Sequence, residues 1–134
     1  MRLLSLICLA MLAGAAVAAE GEAEARKALV GTWVGRVDEG ATGHKLTFTA
    51  DRISGTRDEK QYLGEGSFTV DRKQKPWKMD AVGTKGPQRG RRYLGIYMLE
   101  GETLKWCVST PGNDRPTEFA TKDSQFLLIL KKQK

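Results

Sequence analysis

GRRYLGIYMLEGETLKWCVS, residues 90–109, is the stretch in which the chain states its architecture. Two runs rich in Tyr, Leu, Ile, Trp and Val flank Glu100-Gly101-Glu102, the pattern of an antiparallel hairpin closed by a glycine-containing turn. In the second run Leu104, Trp106 and Val108 alternate with Lys105, Cys107 and Ser109, which predicts a strand with one buried face and one solvated face. The first run is apolar on both faces, with Leu94, Ile96 and Met98 on one and Tyr93, Tyr97 and Leu99 on the other. It therefore belongs in the middle of a sheet, covered on each side.

Outward from this hairpin the chain reads as more short strands. Upstream, 20–29 carries acids first and bases later, the order that suits a short helix and its dipole. It runs into a strand at 30–37, where Gly31 and Gly35 share a face with Trp33 and leave the indole room to cross the sheet. After a turn at 38–43, Leu46, Phe48 and Ala50 alternate with Lys45, Thr47 and Thr49. A turn near Asp51-Arg52 leads to a weak strand at 53–57. The next strand, 62–70, has Phe68 and Val70 inward and Gly64 and Gly66 as sites for a bend. Pro76 starts a strand in which Trp77, Met79 and Ala81 share a face. The segment 84–92, with two glycines and a proline, is predicted to be a long turn. Beyond the hairpin, 111–116 is a loop, 117–120 a short strand or crossing segment, and 125–131 a buried closing strand before a frayed tail. About eight strands at this spacing make an all-β barrel or sandwich.

The first residues look different. Arg2 precedes an apolar run that ends in the small residues Ala16-Val17-Ala18-Ala19, the three-part pattern of a signal peptide cut after Ala18 or Ala19. The domain is then 20–134, and the protein is expected to be secreted or periplasmic. No other apolar span is present, so a membrane-spanning segment is not expected. Cys8 lies inside the apolar run, which argues against lipid attachment, and its loss leaves Cys107 alone with no internal disulfide to make. Between Trp106 and Val108 that thiol is expected to be buried and inert. The formal charge is +6, one less once Arg2 is removed, which favours anionic partners without reaching the level of a nucleic-acid-binding protein.

The helix leading into Gly31-Thr32-Trp33 resembles the opening GxW of the lipocalins. The whole run is similar to a group of small exported lipocalin-like domains of unknown function, abundant in planctomycetes. The matching segments are 29–33, Phe48-Thr49 with Asp51-Arg52, 76–80, Leu94-Gly95-Ile96-Tyr97 with Gly101 and Leu104, Trp106-Cys107, and Arg115-Pro116-Thr117-Glu118-Phe119. The resemblance implies an all-β, eight-stranded antiparallel up-and-down barrel, lipocalin-like (calycin-like), with a short N-terminal helix and made for export. It brings no activity with it.

Chemistry-bearing residues are sparse. His44 is the only histidine, with no second His, Cys pair or acid cluster beside it, so no metal set or cofactor is expected and a surface position is predicted. No nucleophile stands in a motif with a base, and Asp38-Glu39, Asp58-Glu59 and Glu100 with Glu102 are turn charges, so catalysis is not expected. Asp80 and Arg115 adjoin apolar residues and are candidates for a structural ion pair that orients the Arg115-Pro116 loop; the alternative is recognition of a ligand's polar end. Lys85, Arg89, Arg91 and Arg92 concentrate positive charge in one turn; export and the lack of interleaved aromatics argue against nucleic acid, leaving a solvated hairpin tip as the default and a patch for an anionic envelope polymer or protein as the sharper reading. Trp33, Phe48, Phe68, Trp77, Tyr97 and Trp106, with Phe126, either line a cavity or fill the barrel, and so small a barrel favours a mostly filled interior. The functional expectation is a non-catalytic exported binding protein that carries a small hydrophobic molecule in the barrel. The alternative is a cell-envelope interaction module working through the basic turn, and the oligomeric state is left open.

Overall fold

The computed structural model describes residues 21–37, 43–58 and 60–134. The leader expected at 1–19 with Cys8, and turn residues 38–42, lie outside the described residues. Among the described residues one helix, α1 (21–29), precedes nine strands. These are β1 (Gly31–Val37), β2 (Gly43–Phe48), β3 (Arg52–Arg57), β4 (Gln61–Asp71), β5 (Trp77–Lys85), β6 (Arg92–Tyr93), β7 (Gly95–Glu100), β8 (Thr103–Ser109) and β9 (Gln125–Lys132). All pairings between strands are antiparallel; β4 pairs with β5 and β9 returns to β1, so the sheet closes on itself. β6 and β7 meet β5 in one register, at Ala81↔Tyr93 and at Trp77↔Tyr97, and together serve as a single barrel strand. The result is a closed eight-stranded up-and-down barrel with one extra short strand and an N-terminal helix, a lipocalin-like all-β architecture. No described helix is long and apolar enough to cross a membrane.

α1 seals the end at which β1 begins. Its Ala25 and Leu29 are buried in the same core as Trp33, Phe48 and Phe68. The Trp33 indole donates to the Leu29 carbonyl at 2.8 Å, and the Arg26 guanidinium lies 5.0 Å from the centre of the Phe68 ring. Burying such side chains is worth about 1.5–3 kcal/mol each, which makes this end the stable half of the barrel.

Several expectations need correction. β8 is not half-solvated: from Trp106 to Ser109 every residue is buried. Ile96, Cys107 and Leu127 form a second cluster on the outside of the barrel, covered by Phe119. The cover is the chain's own segment 110–124, held by Thr110 N to Ser124 O at 3.0 Å and by Leu127 N to Thr121 Oγ1 at 3.1 Å. Residues 117–120 accordingly form no strand. The basic segment is also shorter as a turn than predicted, since β5 runs to Lys85 and β6 starts at Arg92. Gly83 holds the intervening turn, accepting from Gly90 N at 2.8 Å and donating to Arg91 O at 3.0 Å. Ala50 lies outside β2 and is exposed.

Gly35 is where β1 approaches β9 most closely, because a Cβ there would stand 1.9 Å from the Ile129 carbonyl oxygen. Gly35→Ala should therefore lower unfolding stability by about 2 kcal/mol or more in denaturant titrations. Gly21→Ala, where a Cβ would have nothing within 4 Å, should be neutral in the same experiment.

Candidate functional site

The end of the barrel away from α1 is where the interior is not filled. It is formed by the start of β2, the end of β3, the start of β4, the end of β5 and the β8–β9 end at Ser109↔Gln125. Two glycine pairs face each other across this wall: Gly55 opposite Gly64, and Gly66 opposite Gly83. The ladder shifts register beside them, at Gly55/Thr56 and at Glu65/Gly66. A Cβ at Gly64, Gly66 or Gly83 would meet a carbonyl oxygen at 2.4, 2.2 or 1.9 Å, so the wall can only be bare backbone.

The glycines leave a cavity of about 130 Å³. Leu46, Ile53, Ala81, Val108, Phe126 and Leu128 give it an apolar lining, and Trp106, 4% exposed, lines it as well. Its polar margin contains His44, Arg57, Glu65, Gln88 and Tyr93. His44 is thus not a surface residue: it is 7% exposed, because β2 begins inside the mouth and turns that side chain into the wall. Tyr93 donates to Gln88 Oε1 across the margin.

Of the seven aromatic residues the sequence offered for a cavity, Trp106 and Phe126 line this one. Trp33, Phe48, Phe68 and Tyr97 belong to the core that reaches down to α1. Phe48 and Phe68 meet edge to face with centroids 5.2 Å apart. Trp77 and Tyr97, 5.6 Å apart, line a shallow groove with Pro76, Leu99 and Phe119. Arg72 lies 4.2 Å over Trp77 and donates through Nε to Tyr97 Oη at 3.1 Å. Burial raises the Tyr97 phenol above its ordinary pKa, with Arg72 opposing.

The basic residues border the same mouth. Lys85 ends β5, and Arg89, Arg91 and Arg92 are exposed on the turn whose Gly83 and Gln88 line the cavity. Arg57, which the sequence did not single out, is the one cation among the described lining residues.

Asp80 and Arg115 meet on the outer side of the barrel. Arg115 grips the carboxylate with both terminal nitrogens, Nη1 to Oδ1 and Nη2 to Oδ2 at 2.9 Å, and Nη1 also donates to Gly95 O at 2.8 Å. Asp80 Oδ1 in turn accepts from Gly95 N at 3.1 Å. The Arg115 guanidinium is held above its ordinary pKa by its hydrogen bond to Asp80, against the effect of burial. Both side chains are about three-quarters buried (28% and 24% exposed), and the pair anchors the 110–124 cover to the β5–β7 seam. Beneath that cover, burial raises the Cys107 thiol pKa, opposed by its hydrogen bonds to Ala120 and Gln125 and by the charge of Lys122. No three described His, Cys, Asp or Glu side chains gather in a way that could hold a metal ion.

Two tests follow from this geometry. Asp80→Asn and Arg115→Ala should each cost about 2 kcal/mol of stability, and the double variant clearly less than their sum, as a double-mutant cycle would read. Cys107 should stay unmodified by a thiol reagent in the native protein at about pH 8, since only the thiolate attacks, and should react fully once the protein is unfolded.

Comparison of the chain with family models, curated proteins and solved structures gives no match.

Proposed function

We propose that the protein is an exported binding protein that takes the apolar end of a small molecule into the mouth of its barrel. The observation that carries this reading is the glycine wall. Four glycines are brought opposite one another in pairs along the cavity, and the rest of its lining is mainly hydrocarbon. A cavity of about 150 Å³ holds one benzene molecule, so a space of this order suits a single ring or a short branched chain. The signal pattern at 1–19 and the resemblance to exported lipocalin-like domains support the same reading.

The basic turn supports a second one. Arg89, Arg91 and Arg92 stand exposed on a compact hydrogen-bonded loop, which would suit docking on an anionic envelope polymer with the barrel as scaffold. That mode does not use the cavity.

Calorimetric titration with phenylpropanol, a neutral molecule with one ring, separates the two. Saturable one-to-one binding is expected, reduced by about tenfold or more in Val108→Phe, whose larger ring occupies the cavity. Absence of binding to the wild-type protein would refute the mouth-pocket reading.

A further inference from the structure

We propose that the ligand of this mouth is a small carboxylic acid, its apolar end in the cavity and its carboxylate on Arg57. The inference rests on the mouth-pocket reading above and specifies its ligand class. The cavity, at about 130 Å³, lies well below the roughly 300–1,000 Å³ of pockets that enclose a whole drug-sized molecule. A ligand therefore leaves its far end at the lip, and the groups of the lip decide what that end can be.

Glu65 is the one acid among the described lining residues. Glu65 is paired with Arg52 at 3.7 Å, and Asp58 accepts from the Gly43 backbone N–H at 2.8 Å. Arg57 lines the cavity and makes no ion pair among the described residues. Its guanidinium is the planar fork that matches a carboxylate with two parallel hydrogen bonds. Gln88 adds a second donor: its Oε1 accepts from the Tyr93 hydroxyl, which turns its amide nitrogen to other acceptors. The turn carrying Gln88 also bears exposed Arg89 and Arg91, so the approach to the mouth is electropositive and favours entry of anions. A carboxylate at the lip thus meets a cation and an amide donor, whereas an ammonium there would meet acids that are already engaged.

The test compares phenylpropionate with phenylpropanol, which share a ring and linker and differ in the charged end. Calorimetric titrations of the full chain should show the acid binding about tenfold or more tightly than the alcohol, with the difference shrinking as salt is raised. Arg57→Gln should bring the acid down to the level of the alcohol titrated on the same variant, with an unchanged circular-dichroism melt reporting that the barrel is folded. Equal affinities for acid and alcohol in the wild type, or tighter binding of the alcohol, would overturn the carboxylate assignment while leaving the pocket standing. An Arg57→Gln variant that keeps the full preference for the acid would overturn the role of Arg57. Failure of both molecules to bind would remove the pocket and this inference together.

Discussion

β5 pairs with the β6–β7 strand at both ends of their seam, and at its middle the ladder opens. Pairing holds at Ala81↔Tyr93 and Val82↔Arg92 on one side and at Trp77↔Tyr97 and Lys78↔Ile96 on the other. Between them the backbone groups are satisfied by side chains. The Trp106 indole donates to Met79 O at 3.0 Å, Asp80 accepts from Gly95 N–H, and Arg115 donates to Gly95 O. A buried backbone group left unpaired would cost about 1–3 kcal/mol, so closure of the sheet depends on these three side chains being in place. Gly95 is required for the same reason, since a Cβ there would lie 2.4 Å from the indole nitrogen.

This seam also divides the interior. Trp106 stands between a half filled by Trp33, Phe48, Phe68, Tyr97 and Leu104 and a half walled by Gly55, Gly64, Gly66 and Gly83. Bulky side chains pack under α1, where the helix excludes water and hydrocarbon burial stabilises most. At the other end the strands bulge against one another, backbone meets backbone, and no side chain fits. The filled core and the cavity therefore lie at opposite ends of one barrel. Arg115 links the seam to the outer cover, so the cluster of Ile96, Cys107 and Leu127 is shielded by the residue that also completes the ladder.

The fold was legible in the sequence because it rests on local pattern. The hairpin at 90–109, the alternation in β2 and the aromatic strands report their own conformation, and their count implies a barrel or a sandwich, which the pairing of β9 with β1 resolves as a barrel. That Tyr93, Tyr97 and Leu99 share one face and Leu94, Ile96 and Met98 the other could be read the same way. The cover of the outer face could not, since Phe119 is a lone aromatic in a polar loop and nothing in its neighbours says where it docks. The candidate site was mostly hidden. Gly64 and Gly66 read as places for a bend, and only the register of three strands sets them opposite Gly55 and Gly83. His44 read as a surface residue and Arg57 as the end of a weak strand; that both border the mouth is set by strand pairing and not by composition. The basic turn was visible as charge; that it borders a cavity follows from the bridge between Gly83 and Arg89.

The central claim is that binding occurs in the glycine-walled half of the barrel and nowhere in its filled half. The most direct measurement is the set of intermolecular nuclear Overhauser contacts between the ring protons of phenylpropanol and assigned methyl groups of the protein. Contacts to Leu46, Val108 and Leu128, with none to Leu104 or Leu130, are the result this account predicts. Contacts to Leu104 and Leu130, or only to residues of the outer groove beside Phe119, would contradict it.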